Sequence, residues 1–285
     1  MIGSRRHFLL ESLSDRWNAY RRKLRSCRLV FSEEAVHDVR VATRRLLAVL
    51  DIARTLEPHR RIQRVRRALK KQLDDLDDLH DIQVILVKTA ETIETLPELR
   101  PLQVFLEKRV EQLLGSAAMR VGATRPSDLK KRMKKIRRAL KKDIRDPSVS
   151  ARLLRVVDTA YSATMTAYGQ MDASALASIH RLRIAFRKVR YTIEIIHPLV
   201  PAFPEGHFIR MREYQSMMGD IRDTGLLLAA VPDCAAQDAS FDPAPVRRFY
   251  EERHTRLISS YVERKGEVAS FWRAASDQSF PWEAT

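Results

Sequence analysis

The fold is decided by the stretch His37-Asp38-Val39-Arg40-Val41-Ala42-Thr43-Arg44-Arg45-Leu46, which returns later as His180-Arg181-Leu182-Arg183-Ile184-Ala185-Phe186-Arg187-Lys188-Val189. The two histidines are 143 residues apart (180 − 37). A second pair of stretches is Leu76-Asp77-Asp78-Leu79-His80-Asp81 and Met218-Gly219-Asp220-Ile221-Arg222-Asp223, whose final aspartates are 142 residues apart (223 − 81). Two matches at almost one offset predict two copies of a helical unit of roughly 140 residues.

Each copy of the longer stretch predicts an amphipathic helix with one basic face. Because a helix turns by about 100° per residue, His37, Arg40 and Arg44 lie on one side of the first helix. Val39 and Leu46 lie on the other side. The second copy repeats this arrangement. Its basic and apolar faces are formed by His180, Arg183, Arg187 and Arg190, with Tyr191 near the histidine, and by Leu182, Val189 and Ile193.

The composition favours a helical protein with an anionic partner. The chain has 285 residues, of which 45% are hydrophobic and only 8 are glycine, so it can form a sizeable core and favours helices. A formal net charge of +16 causes self-repulsion unless an anion offsets it. Cys27 and Cys234 stand far apart in sequence, so neither a disulfide framework nor a zinc ribbon is indicated.

Apolar residues recur at helical spacing along nearly the whole chain, and no alternating strand pattern appears. Ser32 and Ser127 are predicted helix caps, and Pro58 is a predicted stop. Pro232 to Pro245 is predicted to be the longest exposed connection. We therefore expect helices at residues 8–27, 33–56, 60–95, 99–120, 127–145, 148–170, 174–197, 206–231 and 244–273, with a break at Asp146-Pro147.

The repeated basic face suits a phosphate polymer. Guanidinium groups present forked donors that match phosphate oxygens, and a histidine can also donate to an anion. The alternative interpretation is an ordinary solvated face. Such a face normally mixes charges for i, i+4 pairing, whereas this one does not mix them and occurs twice. Two such faces would line one groove.

Other basic segments add to the positive charge. Residues Lys130 to Arg145 include ten basic residues and one acid, Asp143, and their apolar spacing predicts an amphipathic helix. Whether that helix faces the groove is left open by the sequence. The additional residues considered as ligand contacts are Arg21, Arg25, Arg28, Arg64, Arg67, Lys71, Lys131, Lys134, Lys135, Arg138, Tyr191 and Arg222.

Asp81 and Asp223 close the shorter repeated motif. We expect them to hold arginines or histidines of a neighbouring helix in place. Metal binding is the weaker alternative, because two aspartates do not complete a ligand set and no His-x-x-x-His cluster is nearby. No metal or cofactor is therefore expected.

Two sequence features bear on location. No run approaches the roughly 18 apolar residues of a membrane span. The segment Ser4-Arg5-Arg6-His7-Phe8-Leu9-Leu10 is similar to a twin-arginine export signal, but Glu11, Asp15 and Arg16 interrupt the apolar stretch that should follow. We interpret the similarity as chance and expect a cytoplasmic protein without a membrane partner.

The paired motifs resemble those of the CHAD domain (conserved histidine α-helical domain). Its hallmarks are two helical repeats, each with a His-x-x-Arg-Val/Ile-x-x-Arg/Lys-Arg/Lys helix and a later Gly/Asp-x-x-Arg-Asp-like helix. Here these correspond to His37–Arg45 and His180–Tyr191, followed by Asp78–Asp81 and Gly219–Asp223. The resemblance covers almost the whole chain.

The resemblance implies an all-α fold of two pseudo-symmetric four-helix-bundle repeats, residues 1–146 and 147–285, in one compact domain around a basic central groove or pore. It also implies binding of inorganic polyphosphate and, for some members, a location at polyphosphate granules. The implied polyphosphate ligands are His37, Arg40, Arg44, Arg45, His180, Arg183, Arg187, Lys188 and Arg190.

The two copies differ at three positions of the motifs. Leu47, His80 and Asp77 of the first copy stand where the second has Arg190, Arg222 and Gly219. We therefore expect the two halves to contribute unequally to ligand binding.

No catalytic motif accompanies the basic faces. The Glu-x-Glu-x-Lys strand of the triphosphate-hydrolase domain found in some relatives does not appear, nor does a P-loop or a Ser-His-Asp arrangement. A non-catalytic binding module is therefore expected. A nucleic-acid-binding protein is one alternative, although only 7% of residues are aromatic and no aromatic row serves base stacking. A phosphoanhydride-processing enzyme using His37 and His180 as acid–base groups is the other.

Overall fold

The protein is all-α, as its composition predicts. The computed structural model describes residues 7–56, 58–123, 126–143 and 148–283, and within these ranges it contains α-helices and short 3-10 helices but no strand. The α-helices of the described ranges are α1 (Phe8–Leu29), α2 (Glu33–Leu56), α3 (Arg60–Thr92), α4 (Arg100–Ala123), α5 (Pro126–Asp143), α6 (Val149–Gly169), α7 (Leu176–Ile196), α8 (Glu205–Gln237) and α9 (Ala244–Arg264).

Local capping explains several helix ends. The Ala35 N–H donates to Ser32 Oγ at 3.2 Å, which confirms the predicted cap of α2. Helix α5 begins at Pro126, so Ser127 lies within its first turn and the predicted cap at Ser127 is wrong. Proline is suited to a first helical position because its fixed φ fits there and its missing N–H would have no helical partner. The predicted break at Asp146-Pro147 and the arginines of the export-like segment lie outside the described residues.

The C-terminal ends of two helices were predicted wrongly. Helix α8 continues through Pro232 to Gln237 instead of ending at residue 231. Proline removes one helical hydrogen bond, but Val231 and Cys234 are fully buried with Tyr250 of α9, and this burial offsets the loss. Helix α9 ends at Arg264 and is followed by a 3-10 helix over Lys265–Ser270.

The apolar faces predicted for α2 and α7 lie in the largest hydrophobic core. Leu46 and Leu50 of α2 and Val189 and Ile193 of α7 are all fully buried there. Burying such side chains contributes about 1.5–3 kcal/mol each. Because the apolar side of each helix faces inward, the opposite, basic side is available to line a cavity.

Each helix packs chiefly against its neighbours in the chain. Contacts join α1 to α2, α2 to α3 and α3 to α4, and likewise α6 to α7, α7 to α8 and α8 to α9. Across these two runs, α2 contacts α7 and α3 contacts α8. The site described below lies where these four helices meet.

Helix α5 packs against the outside of the first run, on α1, α2 and α3. Its predicted apolar stripe is buried, which confirms that the helix is amphipathic. The stripe consists of Leu129, Met133, Ile136 and Leu140. Among the described helices, none is long and apolar enough to cross a membrane.

Candidate anion-binding site

A cavity of about 600 Å³ lies between α2, α3, α7 and α8. We call it the central cavity. Eight of the nine residues predicted as ligands line it, and only Lys188 does not. The basic and histidine side chains in its lining are His37, Arg40, Arg44 and Arg45 of α2, His80 of α3, His180, Arg183, Arg187 and Arg190 of α7, and Arg212 and Arg222 of α8.

Arg40 is held by the neighbouring helix α3. The residue is only 2% exposed, and its Nη1 donates to the Leu73 carbonyl oxygen at 3.1 Å. The same nitrogen lies 2.5 Å from Asp77 Oδ1. The charge of Arg40 is therefore largely compensated by the protein itself, so this arginine contributes less to the cavity than its place on the basic face predicts.

Arg183, the counterpart of Arg40 in the second copy, faces a glycine. A Cβ atom at Gly219 would lie 3.7 Å from both Nε and Nη2 of Arg183. Arg183 Nε is buried and has no hydrogen-bond partner among the described residues. Burial lowers the pKa of Arg183, and Asp223 offsets this only in part. Its guanidinium therefore presents a donor that an anion in the cavity could use.

Arg44 and Arg187 provide the next pair of half-buried guanidinium groups. Burial lowers the pKa of both, and the positive charges around them lower it further: chiefly Arg187 for Arg44, and Arg183 for Arg187. Neither forms an ion pair with a described residue, although Asp77 attracts both weakly. Like charges held together in this way favour binding of an anion.

Arg222 links α8 to α3 across the cavity. Its Nη2 donates to Asp81 Oδ2 at 2.5 Å, and its Nη1 donates to Asp223 Oδ1 at 3.4 Å. Burial lowers the pKa of Arg222, but the two carboxylates more than offset this, so the pKa is raised overall. This geometry is what the predicted orienting role of Asp81 and Asp223 requires.

The fourth aspartate of the lining also faces a cation. Asp220 Oδ1 accepts a hydrogen bond from Lys88 Nζ of α3 at 3.0 Å. Each of the four aspartates in the lining thus lies beside a basic side chain, and none of them compensates Arg44 or Arg187 directly.

Three histidines surround the arginines, and one of them was not predicted. His80, predicted only as a departure from the second copy, lies with its ring centroid 5.6 Å from that of His37. Burial, followed by repulsion from Arg40, lowers the pKa of His80 to about 3, and its buried Nδ1 has no partner among the described residues. Burial also lowers the pKa of His180. The only signal for His80 was its place beside Asp81 in the repeated motif.

Arg190 and Lys188 are less open to the central cavity than the other residues predicted as ligands. Arg190 is 6% exposed and donates to Gln215 Oε1 at 3.0 Å and Glu194 Oε1 at 2.9 Å. Its guanidinium carbon lies 4.7 Å from the centre of the Tyr191 ring. Lys188 is exposed on the far side of α7. Arg190 therefore lines the cavity, but its charge is already paired with Glu194.

Most residues predicted as additional contacts lie elsewhere on the surface. Tyr191 and Arg222 line the central cavity, whereas no described residue of α5 does, and Arg145 lies outside the described residues. The additional residues away from the cavity are Arg21, Arg25 and Arg28 on α1, Arg64, Arg67 and Lys71 on α3, and Lys131, Lys134, Lys135 and Arg138 on α5.

Within the part of the chain that the structure describes, no group of three or more His, Cys, Asp or Glu side chains could hold a metal ion. The donors of the cavity are instead guanidinium and imidazole nitrogens, which suit phosphate oxygens. The structure is thus that of an all-α protein with a cavity lined by basic side chains at the junction of four helices.

The chain belongs to the CHAD domain family, whose sequence profile matches residues 9–231. Two solved structures have a similar fold. The crystal structure of the CHAD domain from the plant Ricinus communis has a TM-score of 0.66 and 17% identity, with 93% of this chain and 89% of that chain covered. PptA from Streptomyces chartreusis has a TM-score of 0.57 and 18% identity, with coverage of 90% and 99%. No functionally curated protein matches the sequence.

Proposed function

We propose that the protein binds inorganic polyphosphate in the central cavity, as a non-catalytic binding module. The observation that carries this proposal is the placement of Arg44, Arg183 and Arg187 in one cavity, where each is half-buried and none forms an ion pair with a described residue. Membership of the CHAD family supports it. An anion that enters would compensate all three charges at once.

A linear phosphate polymer fits this lining better than a single anion does. Donors come from α2 on one side and from α7 on the other, so successive phosphates can each meet a guanidinium group. We propose that this cavity is the basic groove expected between two repeats, with α1–α4 and α6–α9 as the two bundles. The packing of α2 on α7 and of α3 on α8 supports that arrangement.

The lining offers little to a nucleic-acid base or to hydrolysis. Its one aromatic side chain other than histidine is Tyr191, which is 8% exposed and already lies against Arg190. Bases bind chiefly by stacking on open aromatic rings. The acids of the lining all lie beside cations, so we assign no catalytic carboxylate. We further propose that the protein acts in the cytoplasm, at polyphosphate granules.

The test is a titration of the protein with polyphosphate over a series of salt concentrations. R44Q/R187Q should weaken binding at least tenfold, by ~1.4 kcal/mol or more. The matched control is R248Q/R256Q, which removes two exposed arginines of α9 away from the cavity. Circular dichroism verifies that both variants fold, and ³¹P NMR shows whether the polymer stays intact. Equal affinity of the two folded variants would reject the central cavity as the site, and hydrolysis of the polymer would reject a non-catalytic role.

A further inference from the structure

Two adjoining depressions on the outer surface contain cations and no carboxylate in their linings. The first, of about 500 Å³, is lined by residues of α1 that include Arg21, Arg22 and Arg25. The second, of about 290 Å³, lies between α1 and α5. The two share Asn18. We call this region the α1–α5 surface, and define it by the six exposed cations Arg21, Arg22, Arg25, Lys130, Lys134 and Arg137.

These cations differ from two basic residues of the neighbouring helix α3 that have carboxylate partners. There, Lys71 pairs with Asp75 at 3.0 Å and Arg66 pairs with Asp51 of α2. Within the described residues, no cation of the α1–α5 surface forms an ion pair. Arg28, at the end of α1, instead donates to the Val121 carbonyl oxygen at 3.0 Å and so belongs to the scaffold.

The three cations of the α1–α5 surface that lie on α5 do not stabilise their own helix. Lys130, Lys134 and Arg137 follow each other at i, i+4 and i, i+3 spacing, so they lie along one edge of α5. Like charges at this spacing destabilise a helix by roughly 0.2–0.5 kcal/mol per pair. An anion lying along that edge would remove the repulsion.

A third depression, of about 560 Å³, leads from the central cavity to α1. It shares Arg45 and Arg212 with the cavity and reaches Arg16 and Lys23. Its charges are mixed, because Asp15, Asp38 and Glu194 also line it. It is therefore a weaker binding region than the central cavity or the α1–α5 surface. It ends on the side of α1 that carries Arg16 and Lys23, and it shares no lining residue with the α1–α5 surface.

We infer that the α1–α5 surface binds the part of a long polyphosphate chain that extends beyond the central cavity. This inference rests on the proposed function. The occupant follows from charge complementarity, since a flexible anionic polymer that leaves the central cavity along this third depression reaches α1, the helix that carries Arg21, Arg22 and Arg25. The lining also lacks an open aromatic ring for a base, because Trp17 is only 8% exposed and Arg21 already lies 5.9 Å from its ring centre.

Affinity then depends on chain length. A short polyphosphate occupies only the central cavity. When a long chain binds there, its distal part is kept close to the α1–α5 surface. Such tethering makes the second contact intramolecular and raises the overall affinity without strengthening either site.

The α5 helix supplies its own matched control. The test variant K130Q/K134Q/R137Q removes three cations of the α1–α5 surface. The control variant K131Q/K135Q/R138Q removes three cations of the same types, each one position further along the helix. The three residues changed in the control line neither depression of that surface. Both variants, R44Q/R187Q and the wild type are titrated with tripolyphosphate and with long-chain polyphosphate across a salt series. A labelled DNA duplex is the competitor.

The first α5 variant should bind long-chain polyphosphate at least tenfold more weakly than the control variant does. Its plot of log affinity against log salt should flatten by about 2, at ~0.7 per lost phosphate contact on a single strand. Tripolyphosphate should bind wild type and both α5 variants alike. Equal loss of long-chain affinity in both α5 variants would show a diffuse charge effect and overturn the inference.

Two further outcomes separate the surface from the central cavity. If R44Q/R187Q binds both phosphates as the wild type does while K130Q/K134Q/R137Q loses the long chain, the surface is supported and the cavity proposal is wrong. If K130Q/K134Q/R137Q loses only the DNA duplex, the surface is a nucleic-acid site and the inference is overturned.

Discussion

Arg40 Nη1 lies 2.5 Å from Asp77 Oδ1, whereas the equivalent arginine of the second copy, Arg183, faces Gly219. The change from Asp77 in the first copy to Gly219 in the second therefore leaves Arg40 with a carboxylate partner and Arg183 without one at the equivalent position. The second half presents the more available guanidinium group. An unequal contribution of the two halves to ligand binding stays a prediction, and this difference between Asp77 and Gly219 is its physical basis.

G219D should weaken polyphosphate binding by roughly tenfold, or ~1.4 kcal/mol. A Cβ at this position has room, at 3.7 Å from Arg183 Nε, so the new carboxylate would pair with Arg183 as Asp77 pairs with Arg40. Calorimetric titration measures the effect. G219A is the control for added volume, and equal affinities of G219D and G219A would contradict the assignment of Arg183 as the anchor.

R44Q/R187Q should make the ligand-free protein more stable even as it loses its ligand. Removing two half-buried like charges relieves repulsion of about 1–4 kcal/mol, the range for close charges at effective dielectric constants between those of bulk water and a protein surface. Urea denaturation without polyphosphate gives the free energy of unfolding. R44K/R187K, which keeps both charges, should not gain stability, and a gain of the same size there would point to packing instead.

His80 should make the stability of the ligand-free protein depend on pH. Its pKa is about 3 in the folded protein against an ordinary value of 6.5, so the unfolded chain takes up the extra proton first. Stability is therefore lost as the pH falls below about 6.5, by about 1 kcal/mol at pH 5.5. The measurement is thermal denaturation at pH 7.5 and 5.5, and H80N should lose less stability than the wild type over this interval.

Binding of polyphosphate should reverse the pH dependence of stability that His80 causes in the ligand-free protein. A bound anion favours the protonated ring and raises its pKa above the value of about 3 in the ligand-free protein. Binding therefore takes up a proton and tightens as the pH falls below the pKa of the bound form. Titrations in buffers of different ionisation enthalpy measure this uptake. Proton uptake of the same size in H80N would assign it to another group, of which His180 is the nearest candidate by its lowered pKa.

P232A should raise the free energy of unfolding by about 1–3 kcal/mol, because alanine restores the helical N–H that proline lacks. Chemical denaturation measures it, and the affinity for polyphosphate should not change, since Pro232 lies outside the lining of the central cavity. P204A, at the residue that precedes α8, is the control and should not stabilise. A less stable P232A would mean that the ring is needed for packing.

Periodicity predicted the parts of the site that depend on a single helix. It placed the arginines of α2 and α7 on one face and their buried leucines and valines on the other, because a helix repeats every 3.6 residues. It could not show that Arg40 meets Asp77 of α3, since that contact joins two helices. His80 was missed as a lining residue for the same reason.

Contacts between helices also explain the other errors. Pro232 is a strong local stop signal, but burial of Val231 and Cys234 outweighs it. The prediction that α5 is amphipathic is confirmed. The pattern does not indicate, however, which helices the apolar stripe packs against. Its place on α1, away from the central cavity, is a property of the tertiary structure.

The repulsion between Arg44 and Arg187 bears on how long the protein survives in a cell. Charge repulsion in the folded state makes local unfolding more frequent, and proteases cleave the locally unfolded chain. Each bound polymer suppresses that opening by mass action. Degradation would then remove copies that have found no polymer, and the abundance of the protein would follow the supply of the molecule it holds.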